Sequence, residues 1–315
     1  MLRDKNDRKT LRQPHLPGLL ILIALILGLT GCHARHRLTC QPPPEFSAAG
    51  KTAESAGRPP ARLISLVPSL TETACDLGLA DNLAAITAND DYPPEILHLP
   101  KVGDMNPDYE YLIALQPDAI LIDTSITNAQ IQSRLKQLGL PVVETHIEYL
   151  DDLVRELPHL GEALNCRASA LALQQEVQKA LHQARQRAQA LPRRPRVYID
   201  VYNNPLLTAG KPSLLNELLE IAGGENIYAD IDKAYPNISA EDLIVRRPDI
   251  VLLTSMSAEA ARKHPQFSKI DAVKEGNILE MPSSLMQRPT KRSLQSIEIM
   301  QNYFEDWAGK ESDSQ

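Results

Sequence analysis

From Arg62 onward, short apolar runs alternate with stretches of helical periodicity, the pattern of α/β layers. Leu63 to Val67 (LISLV), Ala84 to Thr87, Ala119 to Ile122 and Pro141 to Glu144 read as strands, with helical segments between them. Ser69-Leu70-Thr71-Glu72 has the spacing of a capping box and predicts a helix start just after the first strand. The second half repeats the recipe, with strands at Arg196 to Tyr202, Ile250 to Leu253 and Asn277 to Met281, and a helix over Leu214 to Ala222. A final helix runs from Lys291 to Trp307.

Between the halves, Ala168 to Leu191 contains neither Gly nor Pro, and Ala170, Leu173, Val177, Leu181, Ala184, Ala188 and Leu191 step by three or four throughout. This predicts one continuous amphipathic helix of roughly 35 Å at 1.5 Å per residue, a stiff strut between two lobes. A coiled-coil or partner-binding helix is the alternative, weakened by a stripe rich in Ala rather than Leu or Ile. The organisation expected is α/β, two similar α/β lobes bridged by one long helix: an N-terminal lobe over 62–165, the helix over 166–192 and a C-terminal lobe over 193–310.

An internal echo supports two lobes built alike. EYLIALQPDAILI (Glu110 to Ile122) and EDLIVRRPDIVLL (Glu241 to Leu253) share Glu, Leu, Ile, Pro, Asp and Leu at matching places. Each reads as a short helix, a Pro-Asp stop and a buried strand, although βαβ units can converge on such vocabulary by chance. Glu110 and Glu241 then occupy equivalent exposed positions at helix starts. The macrodipole alone favours an acid there; as a pair they could also engage two cations of a two-fold partner.

Upstream of the lobes the pattern changes. Met1 to Pro17 carries five basic residues against Asp4 and Asp7, and Gly18 to Gly31 is a 14-residue apolar run ending at Cys32. About 20 apolar residues are needed to span a bilayer, so a cleaved signal peptide over 1–31 is favoured over a permanent anchor helix. Leu29-Thr30-Gly31-Cys32 resembles the lipobox of bacterial lipoproteins, which implies a lipid on Cys32 and an extracytoplasmic, membrane-anchored protein. Residues 32–61, rich in Pro, Ala, Gly and Ser, read as a flexible tether. His33 and His36 lie in that segment with no fixed partner, which points to solvated side chains rather than a metal site. With Cys32 acylated, Cys40, Cys75 and Cys166 leave an odd number and no CxxC spacing, so neither a disulfide framework nor a zinc site is indicated.

The net charge of −7 over 315 residues becomes −10 once the signal peptide takes away five positive and two negative charges. No basic run offers a footprint for nucleic acid. Aromatics are 4% of the chain, with one tryptophan, Trp307, so a dense aromatic cage is excluded.

PLLTAGKPSLLNELLEIAGGENIYAD (Pro205 to Asp230) and the following YPNISAEDLIVRRPDIVLL resemble the substrate-binding proteins of bacterial ABC importers for cobalamin, haem and iron siderophores. RLISLVPSLTETACDLG, DDYPPE, KVGDMNPDYEYLIALQPDAIL and LKQLGLPVVET resemble the same family in register, so the likeness covers roughly residues 62 to 308. It implies the helical-backbone (class III) periplasmic binding fold, with a ligand in the cleft between lobes that move little. The TAG, AGGENI and DYPP segments look closest to the cobalamin-binding branch, in which a glutamate on each lobe docks the paired permease subunits of the inner membrane. By register those glutamates fall on Glu110 and Glu241. The cleft positions fall near Asn89, Met105, Asp123, Tyr202, Leu207, Tyr235 and Leu285, several of them aromatic in the family's cobalamin binders but Asn, Met, Asp or Leu here. On the residues alone, Leu207 and Leu285 also suit a core, Asn89 and Asp123 suit turns, and Tyr235, before Pro236 in a polar loop, suits a ligand contact.

The resemblance implies a monomer that captures cobalamin, or a related tetrapyrrole or siderophore, with no cofactor of its own. Mixed Tyr, Met, Leu and Asn walls suit a large amphipathic ring; tris-catecholate or hydroxamate siderophores would want cations, which Arg288, Lys291 and Arg292 could supply at the cleft edge. An enzyme is the first rival, but the chain has no GxGxxG after a strand, P-loop, GxSxG or HExxH. A zinc- or manganese-binding protein is the second; its ligands would come from His98, His146, His159, His182 and His264, which are scattered, with His146 alone near the expected cleft. A purely structural lipoprotein is the third.

Overall fold

The computed structural model describes residues 57–104 and 106–313. The signal peptide, Cys32, Cys40, the two tether histidines and Met105 lie outside them, as does most of the tether. In chain order the elements are β1 Leu63–Ser65, α1 Pro68–Asp76, β2 Leu83–Ala85, α2 Tyr109–Leu115, β3 Ala119–Asp123, α3 Ala129–Gln137, β4 Val142–Thr145, α4 Leu150–Ala163 and α5 Arg167–Gln189. There follow β5 Arg196–Asn203, β6 Leu206–Thr208, α6 Leu214–Ala222, β7 Glu225–Asn226, α7 Ala240–Arg246, β8 Ile250–Leu253, α8 Ala258–Lys263, α9 Asp271–Glu275, β9 Ile278–Glu280, α10 Ser283–Met286 and α11 Ser293–Asp313.

Two sheets form, one from each half. The first has order β2-β1-β3-β4 and is parallel throughout. The second has order β6-β5-β8-β9, with β7 also paired to β5, and only β6 runs antiparallel. Parallel strands buried on both faces read as unbroken apolar runs, and the side-chain alternation shows where each face goes. In β3, Ala119 and Leu121 enter a large central cluster while Ile120 and Ile122 enter a smaller outer one. In β8, Ile250 and Leu252 join the same central cluster while Val251 and Leu253 join a second outer one.

That shared cluster corrects the picture of a bare strut. α5 is continuous over 23 residues, as its periodicity predicts, but Ala170, Leu173, Val177 and Leu181 are buried in an apolar layer that also takes in Leu153, Leu157 and Leu160 of α4, Leu215, Leu218 and Leu219 of α6, and Ile297, Met300 and Phe304 of α11. The remaining faces of α5 are largely exposed. The helix therefore lies along the back of both lobes and welds them rather than holding them apart. The close approach of α4 and α5 depends on Gly161: a Cβ there would lie 2.5 Å from Cβ of Ala170 and 3.1 Å from Cα of Arg167. The described residues accordingly form one compact unit.

The first helix differs from its expected start. α1 begins at Pro68, with Val67 as N-cap and no side-chain cap, because proline at the first helical position presets φ. Glu72, expected to close a capping box, instead points into the protein, 3% exposed. Its Oε1 accepts from Arg288 Nη1 at 2.8 Å and Arg292 Nη2 at 3.1 Å, and its Oε2 from Thr290 Oγ1 at 2.9 Å. A carboxylate of the first half is thus answered by two cations from the loop between α10 and α11.

Removing one partner of a buried ion cluster costs about 3–5 kcal/mol because it strands the other charges. Glu72→Ala should therefore lower Tm by on the order of 10 °C in a thermal melt, given a few degrees per kcal/mol for domains of this size. A loss of only a degree or two would mean the arginines are satisfied elsewhere.

Candidate functional site

In open α/β sheets ligands bind outside the carboxyl ends of the strands, where the strand order reverses. In the first sheet that point lies between β1 and its neighbours β2 and β3. A cavity of ≈ 100 Å³ sits there, lined among others by Val67 after β1, Thr87 and Asn89 after β2, and Ile126 and Asn128 after β3. Asp90 Oδ2 accepts from both the backbone N–H and the Oγ1 hydroxyl of Thr87, each at 2.7 Å. This turn leaves Asn89 exposed at the cavity wall, with its carbonyl accepting from Arg288 Nη2 at 3.2 Å.

Asp123 has a different place from the one expected. It is 2% exposed, and its oxygens accept from Ser125 N at 2.9 Å, the Ser125 hydroxyl, Thr145 Oγ1 at 2.7 Å and Ile147 N at 2.9 Å. Its acceptor capacity is used up inside its own lobe, so it is a post that orders the loops after β3 and β4 rather than an open wall. The apolar wall at this position is Ile126, 61% exposed. An isoleucine inside the otherwise polar loop Thr124-Ser125-Ile126-Thr127-Asn128 was the available signal. His146, past the end of β4, is exposed, with Nδ1 3.0 Å from Thr124 Oγ1 and Nε2 3.5 Å from the Glu148 carboxylate.

On the second lobe, Tyr202 lies near the end of β5, half-exposed, in register with half-buried Leu207 of β6. The segment after β7 runs along β6: Thr208 N donates to Pro236 O at 3.2 Å and Gly210 N to Ala234 O at 2.9 Å. It carries Tyr235, 40% exposed. Burial and the neighbouring Tyr149 phenol both push the Tyr235 pKa up. Tyr149 stands at the start of α4 in the other lobe, near enough for its phenol to act on that of Tyr235. Its own phenol is raised by burial and then by Glu148, Glu217 and Asp152, and both hydroxyls stay neutral. Tyr149 went unmarked in the sequence, where its only sign is a place just past a strand of the first sheet. Leu285 on α10 is half-buried against the central cluster, as its core alternative predicted. Asn89 and Ile126 thus line one cavity, and Tyr202 pairs with Leu207 across β5 and β6.

The cations at the edge are all engaged. Arg288 binds Glu72, the Asp91 carboxylate and Asn89 O. Arg292 binds Glu72 and Ser284 O and lies 4.2 Å above the Tyr92 ring. Lys291 Nζ is 2.8 Å from Glu176. A second cavity of ≈ 400 Å³ between α1 and α11 is lined by several of these groups with Cys75 and Asp76. Burial, helped by Glu95, pushes the Cys75 thiol up to about 12, which makes it a poor nucleophile. Cys75 and Cys166 are free thiols. Among the described residues no cluster of three or more His, Cys, Asp or Glu is placed to hold a metal ion.

A second tie runs the opposite way between the lobes. Glu217 of α6 accepts from Leu150 N, the first residue of α4, at 2.9 Å, placing a carboxylate on an open helix N-terminus.

The echoed helices are built alike. In α2 the Asp108 side chain caps Tyr111 N, and in α7 Ser239 caps Asp242 N. Glu110 and Glu241 are each the second helical residue, and both helices end on a left-handed residue, Gln116 and Arg247. The Asp of each Pro-Asp stop then binds the strand that pairs with the next: Asp118 accepts from Arg62 N at 3.0 Å and Asp249 from Arg196 N at 2.8 Å. Both glutamates are exposed.

Residues 63–285 match the periplasmic binding protein family. The chain is 29% identical over 246 residues to an uncharacterized ABC transporter substrate-binding lipoprotein, YvrC, of Bacillus subtilis strain 168, covering 76% of this chain and 78% of that one. It is 29% identical over 255 residues to a vitamin B12-binding protein of Vibrio cholerae, covering 78% and 90%. Among solved structures it resembles the periplasmic vitamin B12 binding protein BtuF of Vibrio cholerae, with TM-score 0.70, 24% identity and coverage of 79% and 98%. It also resembles a periplasmic heme binding protein from Pseudomonas aeruginosa, with TM-score 0.70, 23% identity and coverage of 78% and 93%. Both are helical-backbone periplasmic binding folds.

Burial raises the Glu217 pKa, against the pull of the Leu150 and Asp151 N–H groups and of Arg185; Asp151 adds to the rise. The folded state then holds this proton more tightly than the unfolded chain, so the contribution of Glu217 to stability is fully present below the ordinary glutamate range and is lost as pH rises through the raised value. Glu217→Gln should flatten that part of a plot of unfolding free energy against pH. An unchanged slope would place the titrating proton on another group.

Proposed function

Since the chain belongs to the periplasmic binding protein family, we propose that it captures cobalamin between its two lobes and hands it to an ABC permease. At the coarser level it is the substrate-binding component of an ABC importer, acting outside the cytoplasm, and its relatives are binding proteins rather than enzymes. The lobes of this reading span 62–165 and 193–310, with the bridging helix over 166–192. A lipid on Cys32 anchors the monomer to the membrane, and residues 32–61 tether it.

The observation that carries the ligand assignment is the state of the cations. Arg288, Lys291 and Arg292 are each bound by protein carboxylates, so they are occupied before a ligand arrives. A ferric tris-catecholate brings several negative charges and haem brings two propionates, and either would have to displace those partners. A corrinoid presents a broad apolar ring fringed by neutral amides, which suits Asn89, Ile126, Tyr149, Tyr202, Leu207 and Tyr235. Apolar burial against such walls contributes about 25 cal/mol per Å² before association costs are deducted.

Haem is the second reading, favoured by one observation: Tyr202, Tyr235 and His146 are exposed groups able to ligate iron.

Docking uses Glu110 and Glu241, one per lobe, each accepting a cation from one subunit of the permease pair. Two experiments separate the parts. Titration with cyanocobalamin should give one-to-one binding by calorimetry, weakened about tenfold by Tyr235→Ala, as expected for removing one large aromatic contact. Binding of haemin or a ferric catecholate but not cyanocobalamin would reassign the ligand. The double variant Glu110→Lys/Glu241→Lys should keep the parent's ligand affinity and lose uptake; normal uptake would end the docking assignment.

A further inference from the structure

Beside each docking glutamate stands an exposed aliphatic side chain, Ile113 on α2 and Val245 on α7. The inward side of α2 is held by Leu112 and that of α7 by Leu243, both fully buried. One turn beyond Glu110 the helix carries Ile113 and Ala114, and one turn beyond Glu241 it carries Ile244 and Val245. Residues three and four positions on are surface neighbours of the first, so these aliphatics adjoin the carboxylates. Ile113 is 47% and Val245 77% exposed; Ala114 is exposed and Ile244 half-buried.

A single exposed aliphatic is ordinary. Here an exposed aliphatic stands one turn beyond the glutamate in both members of an internal repeat, three positions on in α2 and four in α7, on helices with a side-chain N-cap, the same length and a left-handed end, where an outward helix face is normally polar. Neither glutamate has a hydrogen-bonded or ionic partner among the described residues.

We propose that Glu110 with Ile113 and Ala114, and Glu241 with Val245, form two composite docking points. Each fits a permease subunit that offers a cation beside an apolar socket. This rests on the docking reading given above. A solvent-exposed ion pair is weak and screened by salt. An aliphatic knob seated next to it excludes water from the pair, strengthens it, and adds a contribution that salt does not screen. The occupant is a cationic protein surface rather than a lipid headgroup layer, because two bare carboxylates on an acidic protein are repelled by anionic lipid.

The test measures binding of the full mature chain to its cognate importer in nanodiscs across a salt series. Ile113→Ser/Val245→Ser should weaken the complex about tenfold or more at every salt concentration, with the salt slope and cyanocobalamin affinity unchanged. Glu110→Gln/Glu241→Gln should instead flatten the salt slope. Parent-like affinity in the serine double variant, or equal binding to importer-free nanodiscs, would overturn the proposal. Parent-like behaviour of the glutamine variant as well would overturn the docking reading beneath it. Should the serine double variant fail to fold, Val245→Thr, near-isosteric on an exposed position, probes the same contact: it should weaken binding by a smaller factor, and parent-like affinity there would equally overturn the proposal.

Discussion

Glu72 is a negative charge with almost no water around it, and the boundary between the two sheets is arranged to answer it. Two arginines and a threonine from the loop between α10 and α11 converge on that carboxylate. In the other direction Glu217 reaches from α6 to the open N-terminus of α4. Buried charges of this kind are weak sources of net stability but strict about geometry: each half must sit where the other's donors are. The apolar layer along α4, α5, α6 and α11 supplies the cohesion, and the two acids supply the register.

The same pairing of charges shapes the cleft. Arg288 and Arg292 are drawn to Glu72, and Lys291 to Glu176, so these three cations are taken up by protein carboxylates. Tyrosines raised by burial keep their protons, and Asp123, which could have brought a charge, is engaged in ordering its own loops. The charge pairs that set the lobe boundary thus also settle which cations at its edge are already bound.

Much of the fold was legible in the chain, and the reasons are physical. Ile250–Leu253 and Leu214–Ala222 match their sequence assignments residue for residue, since a strand buried on both faces and a helix with a serine cap leave strong local signatures. The helix over α5 was equally plain, but its periodicity marks only that one stripe is covered, not that both lobes supply the cover. Strand ends slipped by one or two residues, and the short β6 and β7 were missed, because they exist only through pairing with β5. The site was harder. Residues at the strand ends and at the lobe boundary, such as Tyr149, Ile126 and Glu72, have neighbours far away in the sequence. Glu72 in particular carried a persuasive local explanation, the capping box, that a distant pair of arginines overrode. The likeness of the helices that carry Glu110 and Glu241 was legible because repetition is itself a long-range signal.

The one-sided burial of α5 has a mechanical consequence. Because elements of both halves pack on the same stripe, any hinge between the sheets would have to bend a continuous apolar layer rather than swing on a bare linker.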